Sequence, residues 1–151
     1  MDTLHVKVEE KGYAEPRIWT KPLRELTPET SLGFEVIDYG THSAESCDYS
    51  DFAHPLGTAI DNGEVDLGVA FCGSGNGMAI TLNKHQKVRA ALCWGTEIAR
   101  LAKAHNKANV IVMPARFISY QMVTSIVNKW LETEFEGGRH ERRIEKIPIC
   151  Q

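Results

Sequence analysis

The apolar run Val65-Asp66-Leu67-Gly68-Val69-Ala70-Phe71 passes directly into Cys72-Gly73-Ser74-Gly75-Asn76-Gly77, and this junction limits the folds open to the chain more than any other feature. A β-rich run ending in alternating glycines predicts a buried strand that gives way to a tight turn. Glycines let the backbone take conformations closed to other residues, so successive N–H groups converge on one point and can hold an anion. A helix beginning at Asn76 or Gly77 would add its positive end to that field and lower the pKa of a neighbouring thiol. Cys72 also has a plainer reading, as a small core residue at a strand end.

The same alternation runs on through the chain. Strands are predicted over 33–39, 67–71, 88–93 and 109–113, the last closed by Pro114. Helices are predicted over 51–62, 78–83 and 96–105. The first of these has Asp51 near its N-cap, Pro55 in its early turns and Gly63 at its stop. Ile118, Met122, Val123, Ile126, Val127, Trp130 and Leu131 recur at steps of three and four, which reads as the core face of one more helix. Strands alternating with helices imply an α/β fold: a three-layer αβα, Rossmann-like parallel sheet in a single domain over 1–151. Ligands in such sheets bind beyond the carboxyl ends of the strands, where Cys72 and its glycines would lie. Leu4-His5-Val6-Lys7-Val8 suits a first strand, but Pro16, Pro22 and Pro28 rule out a long unbroken helix after it, so residues 1–32 form an atypical segment.

At 151 residues the chain fits one domain with a real core. A net charge of -3 argues against a general nucleic-acid binder, although Arg139-His140-Glu141-Arg142-Arg143 is locally basic. The four cysteines show no CxxC pairing and the six histidines no HxxxH or HExxH spacing, so neither a metal nor a cofactor is expected. No signal peptide is legible, and no apolar run approaches the roughly 20 residues that span a bilayer; a cytoplasmic protein with reduced thiols and no membrane partner is expected.

Five segments then combine: Asp48-Tyr49-Ser50-Asp51-Phe52-Ala53, Cys72-Gly73-Ser74-Gly75-Asn76-Gly77-Met78, Asn83-Lys84 with Val88-Arg89-Ala90-Ala91, His105-Asn106-Lys107-Ala108-Asn109-Val110, and Phe135-Glu136-Gly137-Gly138-Arg139-His140-Glu141-Arg142-Arg143. In this order they closely resemble the family of ribose-5-phosphate isomerase B and the galactose-6-phosphate isomerase subunits, over about residues 33–147. That family interconverts phosphorylated aldoses and ketoses without a metal. Moving a carbonyl from C1 to C2 needs a base for the C2 proton, donors for the enediolate oxygens, an acid to open the sugar ring and cations for the phosphate.

The resemblance assigns these parts. Cys72 matches the catalytic base, and Gly73, Ser74, Gly75, Asn76 and Gly77 match the loop that holds the enediolate, with Ser74 where Thr is common. His105 matches the residue that opens the furanose ring, and Asn106 a substrate contact beside it. A histidine at a helix end is by itself more often a cap, and only the His-Asn-x-x-Asn context lifts it above that reading. Arg116, Arg139 and Arg143 match phosphate-binding arginines, whose forked guanidinium groups suit phosphate oxygens. Asp48 and Tyr49 are secondary candidates, with Ser50 where Pro is usual. Glu141 and Arg142 read as a solvated pair; His42, His54, His85 and His140 as surface or structural; Cys47, Cys93 and Cys150 as chemically silent.

Gly137-Gly138 is expected to release 135–151 as a C-terminal arm, and the resemblance implies that this arm reaches a second copy, in a homodimer or a dimer of dimers. The family's Asp-His pair at the end of the first strand is missing. Its slot falls on Glu9-Glu10 or on Glu15-Pro16, and neither supplies a histidine. The expected reaction is ribose 5-phosphate to ribulose 5-phosphate. A hexose-6-phosphate isomerase of galactose or allose type, or a catalytically weak sugar-phosphate-binding homologue, are the alternatives.

Overall fold

In the computed structural model, residues 2–7, 35–40 and 46–149 are described. Five strands form one parallel sheet: β1 (Asp2–Lys7), β2 (Glu35–Asp38), β3 (Leu67–Cys72), β4 (Ala90–Leu92) and β5 (Val110–Pro114). Their spatial order is β2-β1-β3-β5-β4. The helices are α1 (Tyr49–Asn62), α2 (Asn76–Leu82), α3 (Thr96–Asn106), α4 (Tyr120–Glu132) and α5 (Arg139–Ile144).

Side chains in a strand alternate between faces, and here both faces are apolar. Ala70 and Cys72 of β3, with Val110 and Val112 of β5, pack under Leu56 and Ile60 of α1 and Met78 and Leu82 of α2. Val69 and Phe71, with Ile111 and Met113, pack against Ala99 and Ala102 of α3 and Val123, Ile126, Val127 and Trp130 of α4. A sheet buried on both sides has no solvated face to alternate toward, which is why β3 and β5 read as nearly continuous apolar runs. Trp130, the largest fully buried side chain among the described residues, donates its indole N–H to the Ala108 carbonyl at 3.1 Å, so its one polar atom is satisfied.

The three-layer α/β expectation holds, and the boundaries move by a few residues. α1 starts at Tyr49 with Asp48, not Asp51, at its cap, because Asp48 has the extended backbone a cap requires (φ -83°, ψ 123°). α2 begins at Asn76, at the start considered for a helix leaving the glycine turn and two residues ahead of the 78–83 span. Met122 is a correction: it is 39% exposed, because the buried arc of α4 is centred on Val123, Ile126, Val127 and Trp130 and leaves it at the edge.

A second correction concerns the C-terminal segment. Gly137 and Gly138 both have positive φ (66° and 57°), and they turn the chain back onto α3. The Glu136 N–H donates to the Ala104 carbonyl at 3.0 Å, and His140 is only 6% exposed. The start of this segment, 136–140, is therefore docked on α3 of its own chain, while 145–149 are exposed.

Candidate functional site

Strand order reverses between β1 and β3: β2 lies on one side of β1, while β3 and everything after it lie on the other. Such a switch point opens a crevice at the carboxyl ends of the strands. β1 ends there at Lys7, paired with Phe71, one residue short of Cys72. Both candidate slots for the missing Asp-His pair, Glu9-Glu10 and Glu15-Pro16, lie outside the described residues, as does His42.

Cys72 closes β3 opposite Pro114 of β5, with 3% of its surface exposed. Its carbonyl accepts from the Ala115 N–H at 2.9 Å, and the Gly73 carbonyl accepts from the Arg116 N–H at 3.1 Å. The two loops leaving β3 and β5 are thus laced together, and Arg116, exposed, projects from the same rim. Gly75 caps α2 at φ 79°, a conformation that favours glycine. Ser74 Oγ accepts from the Asn76 N–H at 3.3 Å and from Asn76 Nδ2 at 3.4 Å, which fixes the turn from inside. Tyr49 lies across Gly77 so closely that an added Cβ would sit 2.5 Å from its ring carbon Cζ. Cys72, Gly73 to Gly77, Arg116 and Tyr49 therefore gather at one rim.

His105 and Asn106 do not join them. α3 leaves the carboxyl end of β4, runs antiparallel to the sheet and ends where β5 begins. The Asn109 carbonyl accepts from the Gly68 N–H at 2.8 Å, and its side-chain Oδ1 accepts from the Arg89 N–H at 2.8 Å, which pins that loop to the amino ends of the strands. From Val110 to Pro114 the sheet rises about 13 Å at roughly 3.3 Å per residue. Cys72 and His105 of one chain are thus separated by at least the height of the sheet.

A second group surrounds His105. Its ring stacks on that of His140, centroids 4.2 Å apart and planes 6° from parallel. Glu136 Oε2 lies 3.5 Å from His105 Nε2 and 3.6 Å from His140 Nε2, with Arg100 Nη1 4.0 Å from its other oxygen. Burial, the neighbouring His105 and Arg139, and then Arg143 lower the pKa of His140, with Glu136 opposing. Arg139 and Arg143 on α5 are exposed, as are Glu141 and Arg142. Short histidine spacings gave no sign of this cluster, because its members come from α3, α5 and the segment between α4 and α5. The Glu-x-x-x-His step from Glu136 to His140 was the one local clue.

A third cluster was also beyond sequence reading. His54 Nδ1 lies 3.0 Å from His85 Nε2, and His85 Nδ1 lies 3.1 Å from Asp61 Oδ2. Burial would raise the Asp61 carboxyl, but hydrogen bonds from the Lys87 amide, at 2.8 Å, and from His85 outweigh it and hold it below its usual range. This chain of side chains ties α1 to the loop after α2. Cys93, buried at the end of β4, has its thiol pushed up to about 12 by burial. None of Cys47, Cys72 and Cys93 is in a disulfide. Among the described residues no helix is long and apolar enough to cross a membrane.

Residues 19–147 match the family model described as Ribose/Galactose Isomerase. The chain is 41% identical over 119 residues to ribose-5-phosphate isomerase B of Escherichia coli, covering 79% of this chain and 80% of that one. It is 40% identical over 116 residues to D-erythrulose-4-phosphate isomerase of Pectobacterium atrosepticum, 76% of each chain. Among solved structures it superposes on ribose-5-phosphate isomerase B of Mycoplasma genitalium with bound ribulose-5-phosphate, with a TM-score of 0.81, 32% identity and coverage of 96% and 93%. With a parallel sheet, a glycine turn at its switch point and this shared sequence, the chain belongs to the ribose/galactose isomerase family of sugar-phosphate aldose–ketose isomerases.

Proposed function

We propose that the protein interconverts ribose 5-phosphate and ribulose 5-phosphate through an enediolate. The reading rests on one observation above the rest: Cys72 ends the central strand β3 at the lip of a glycine turn in a chain of this family. In the aldose-to-ketose direction the Cys72 thiolate takes the C2 proton, and the electron pair left behind forms the C1–C2 double bond while charge moves onto O1. The backbone N–H groups of Gly73 to Gly77 hold that oxyanion, with the Ser74 hydroxyl beside them. O1 gains a proton as O2 loses one, the thiol returns its proton to C1, and the carbonyl stands at C2. His105 carries the proton that opens the furanose ring, Asn106 contacts the sugar, and Arg116, Arg139 and Arg143 hold the phosphate.

These roles fall in two groups at opposite ends of the sheet, so we place each active site between two copies. One supplies Cys72, the glycine turn and Arg116, and the other supplies His105, Asn106, Arg139 and Arg143. Placing the two copies in a two-fold homodimer generates two such sites at once. Ribose 5-phosphate, D-erythrulose 4-phosphate and galactose 6-phosphate, offered separately to the purified protein, test the substrate; highest kcat/KM on another sugar would replace ribose 5-phosphate. Mixing Cys72→Ala chains with Arg139→Ala, Arg143→Ala chains tests the shared site, since mixed dimers hold one intact site. No recovered activity in verified mixed dimers would return all roles to one chain.

A further inference from the structure

The geometry points to a binding site for a divalent transition-metal ion, Zn²⁺ first among them, formed by His105 Nε2, Glu136 Oε2 and His140 Nε2. These three ligand atoms all lie within 4.8 Å of one another, with Glu136 Oε2 3.5 and 3.6 Å from the two nitrogens. Zn²⁺ bound tetrahedrally at about 2.0–2.2 Å holds neighbouring ligand atoms about 3.4 Å apart, so two edges of the triangle are within a few tenths of an ångström of the required size. Two imidazoles and one carboxylate are also a donor set that Zn²⁺ accepts, with the fourth position open to solvent.

The site is half built and half adjustable. His140 is held in place by burial. Glu136 and His105 are partly exposed, with side chains 52% and 34% accessible, and His105 sits on the last turn of α3, so both can move to close the third edge. The rings must splay from their 6° stack, since a metal lies near the plane of each imidazole it binds. Arg100 must also yield its long, 4.0 Å contact with Glu136. Arg139 and Arg143 nearby oppose a cation, so binding is expected to be reversible and readily undone by chelators.

A metal on His105 Nε2 occupies the lone pair that the proposed ring opening uses. Inhibition of isomerisation by Zn²⁺ therefore rests on the reading of His105 given above, whereas metal binding does not.

The test is a titration of chelator-treated protein with Co²⁺, with no sugar present. A visible d–d band of tetrahedral Co²⁺, lost on adding Zn²⁺, is expected. Glu136→Gln and His140→Ala should each weaken binding by at least about tenfold, since even an outer partner of a metal ligand is worth that much. Glu136 is exposed, so its variant keeps the test valid should His140→Ala fail to fold. His54→Ala, which breaks the other histidine pair, should leave the band unchanged. No band at excess Co²⁺, a band that survives Glu136→Gln, or one that disappears in His54→Ala overturns the site. Binding as expected with isomerisation unaffected by Zn²⁺ upholds the site and removes His105 from the reaction.

Discussion

Replacing Gly75 by Ala separates two costs that the glycine turn conceals. Gly75 and Gly63 both have positive φ, 79° and 75°, but an added Cβ at Gly63 meets nothing within 4 Å, whereas at Gly75 it collides with Leu92 Cδ1. A left-handed conformation costs an L-residue about 1–2 kcal/mol. The stiffer unfolded chain returns about 0.4–1 kcal/mol of that. Gly63→Ala should therefore lose about 0–1.5 kcal/mol, the cost of conformation alone. Gly75→Ala carries a further ~1–3 kcal/mol for the forced shift of Leu92, whose flexible end must give way, with Val112 Cγ1 also 3.4 Å from the new atom. Urea midpoints at one protein concentration, with m unchanged, give both losses. Leu92→Ala in the Gly75→Ala background removes the collision, so the pair should couple favourably by at least about 0.5 kcal/mol. Equal losses at the two glycines, or additive behaviour with Leu92→Ala, would refute the steric account and leave only backbone conformation.

Cys72→Ala should abolish isomerisation while retaining sugar-phosphate binding; near-normal solvent-deuterium exchange at C2 would move the base to Asp48. With its thiol held up near 12 by burial, Cys93 should resist iodoacetamide at pH 8 in the native protein and react once urea exposes it, as peptide mass spectrometry reads; native labelling would contradict its burial. The Asp61 carboxyl is held below its ordinary value near 3.8, so what it contributes is present above that pH and disappears as pH falls through the lowered folded value. The stability difference between wild type and Asp61→Asn should stay constant from neutral pH to about 4 and close below it, whereas a gap that persists at lower pH would mean another group carries it.

The features legible in the sequence were local. Alternating glycines after Phe71 announced the turn, and the three- and four-residue steps of Val123, Ile126, Val127 and Trp130 announced the buried face of α4, because each signal lies within a few residues. Contacts between distant segments left no such mark. His54, Asp61 and His85 are separated by up to 31 positions, and their chain of hydrogen bonds forms only once α1 and the loop after α2 are side by side. The docking of 135–144 was misread for a related reason. Two adjacent glycines signal a break, but whether the chain then departs or doubles back depends on what it finds, here the carbonyl of Ala104 and the ring of His105.

The separation of the candidate residues is a matter of chain direction alone. In a parallel sheet each crossover helix runs against the strands, so a residue opening the turn after a strand lies at the carboxyl end and one closing a helix lies at the amino end. Cys72 is of the first kind and His105 of the second, and no local adjustment carries either across the sheet. A chemistry that needs both must draw on two copies, and because Arg139 and Arg143 share α5 with His140, which stacks on His105, the arginines proposed to hold the phosphate go to the second copy as well. Damage to Cys72 and damage to Arg139 would then fall in different chains of any one site, so a population of mixed dimers should retain activity that neither pure variant shows. If the arginines instead served the Cys72 of their own chain, every mixed site would carry at most one intact set, and mixing could restore nothing beyond the residual activities of the parents.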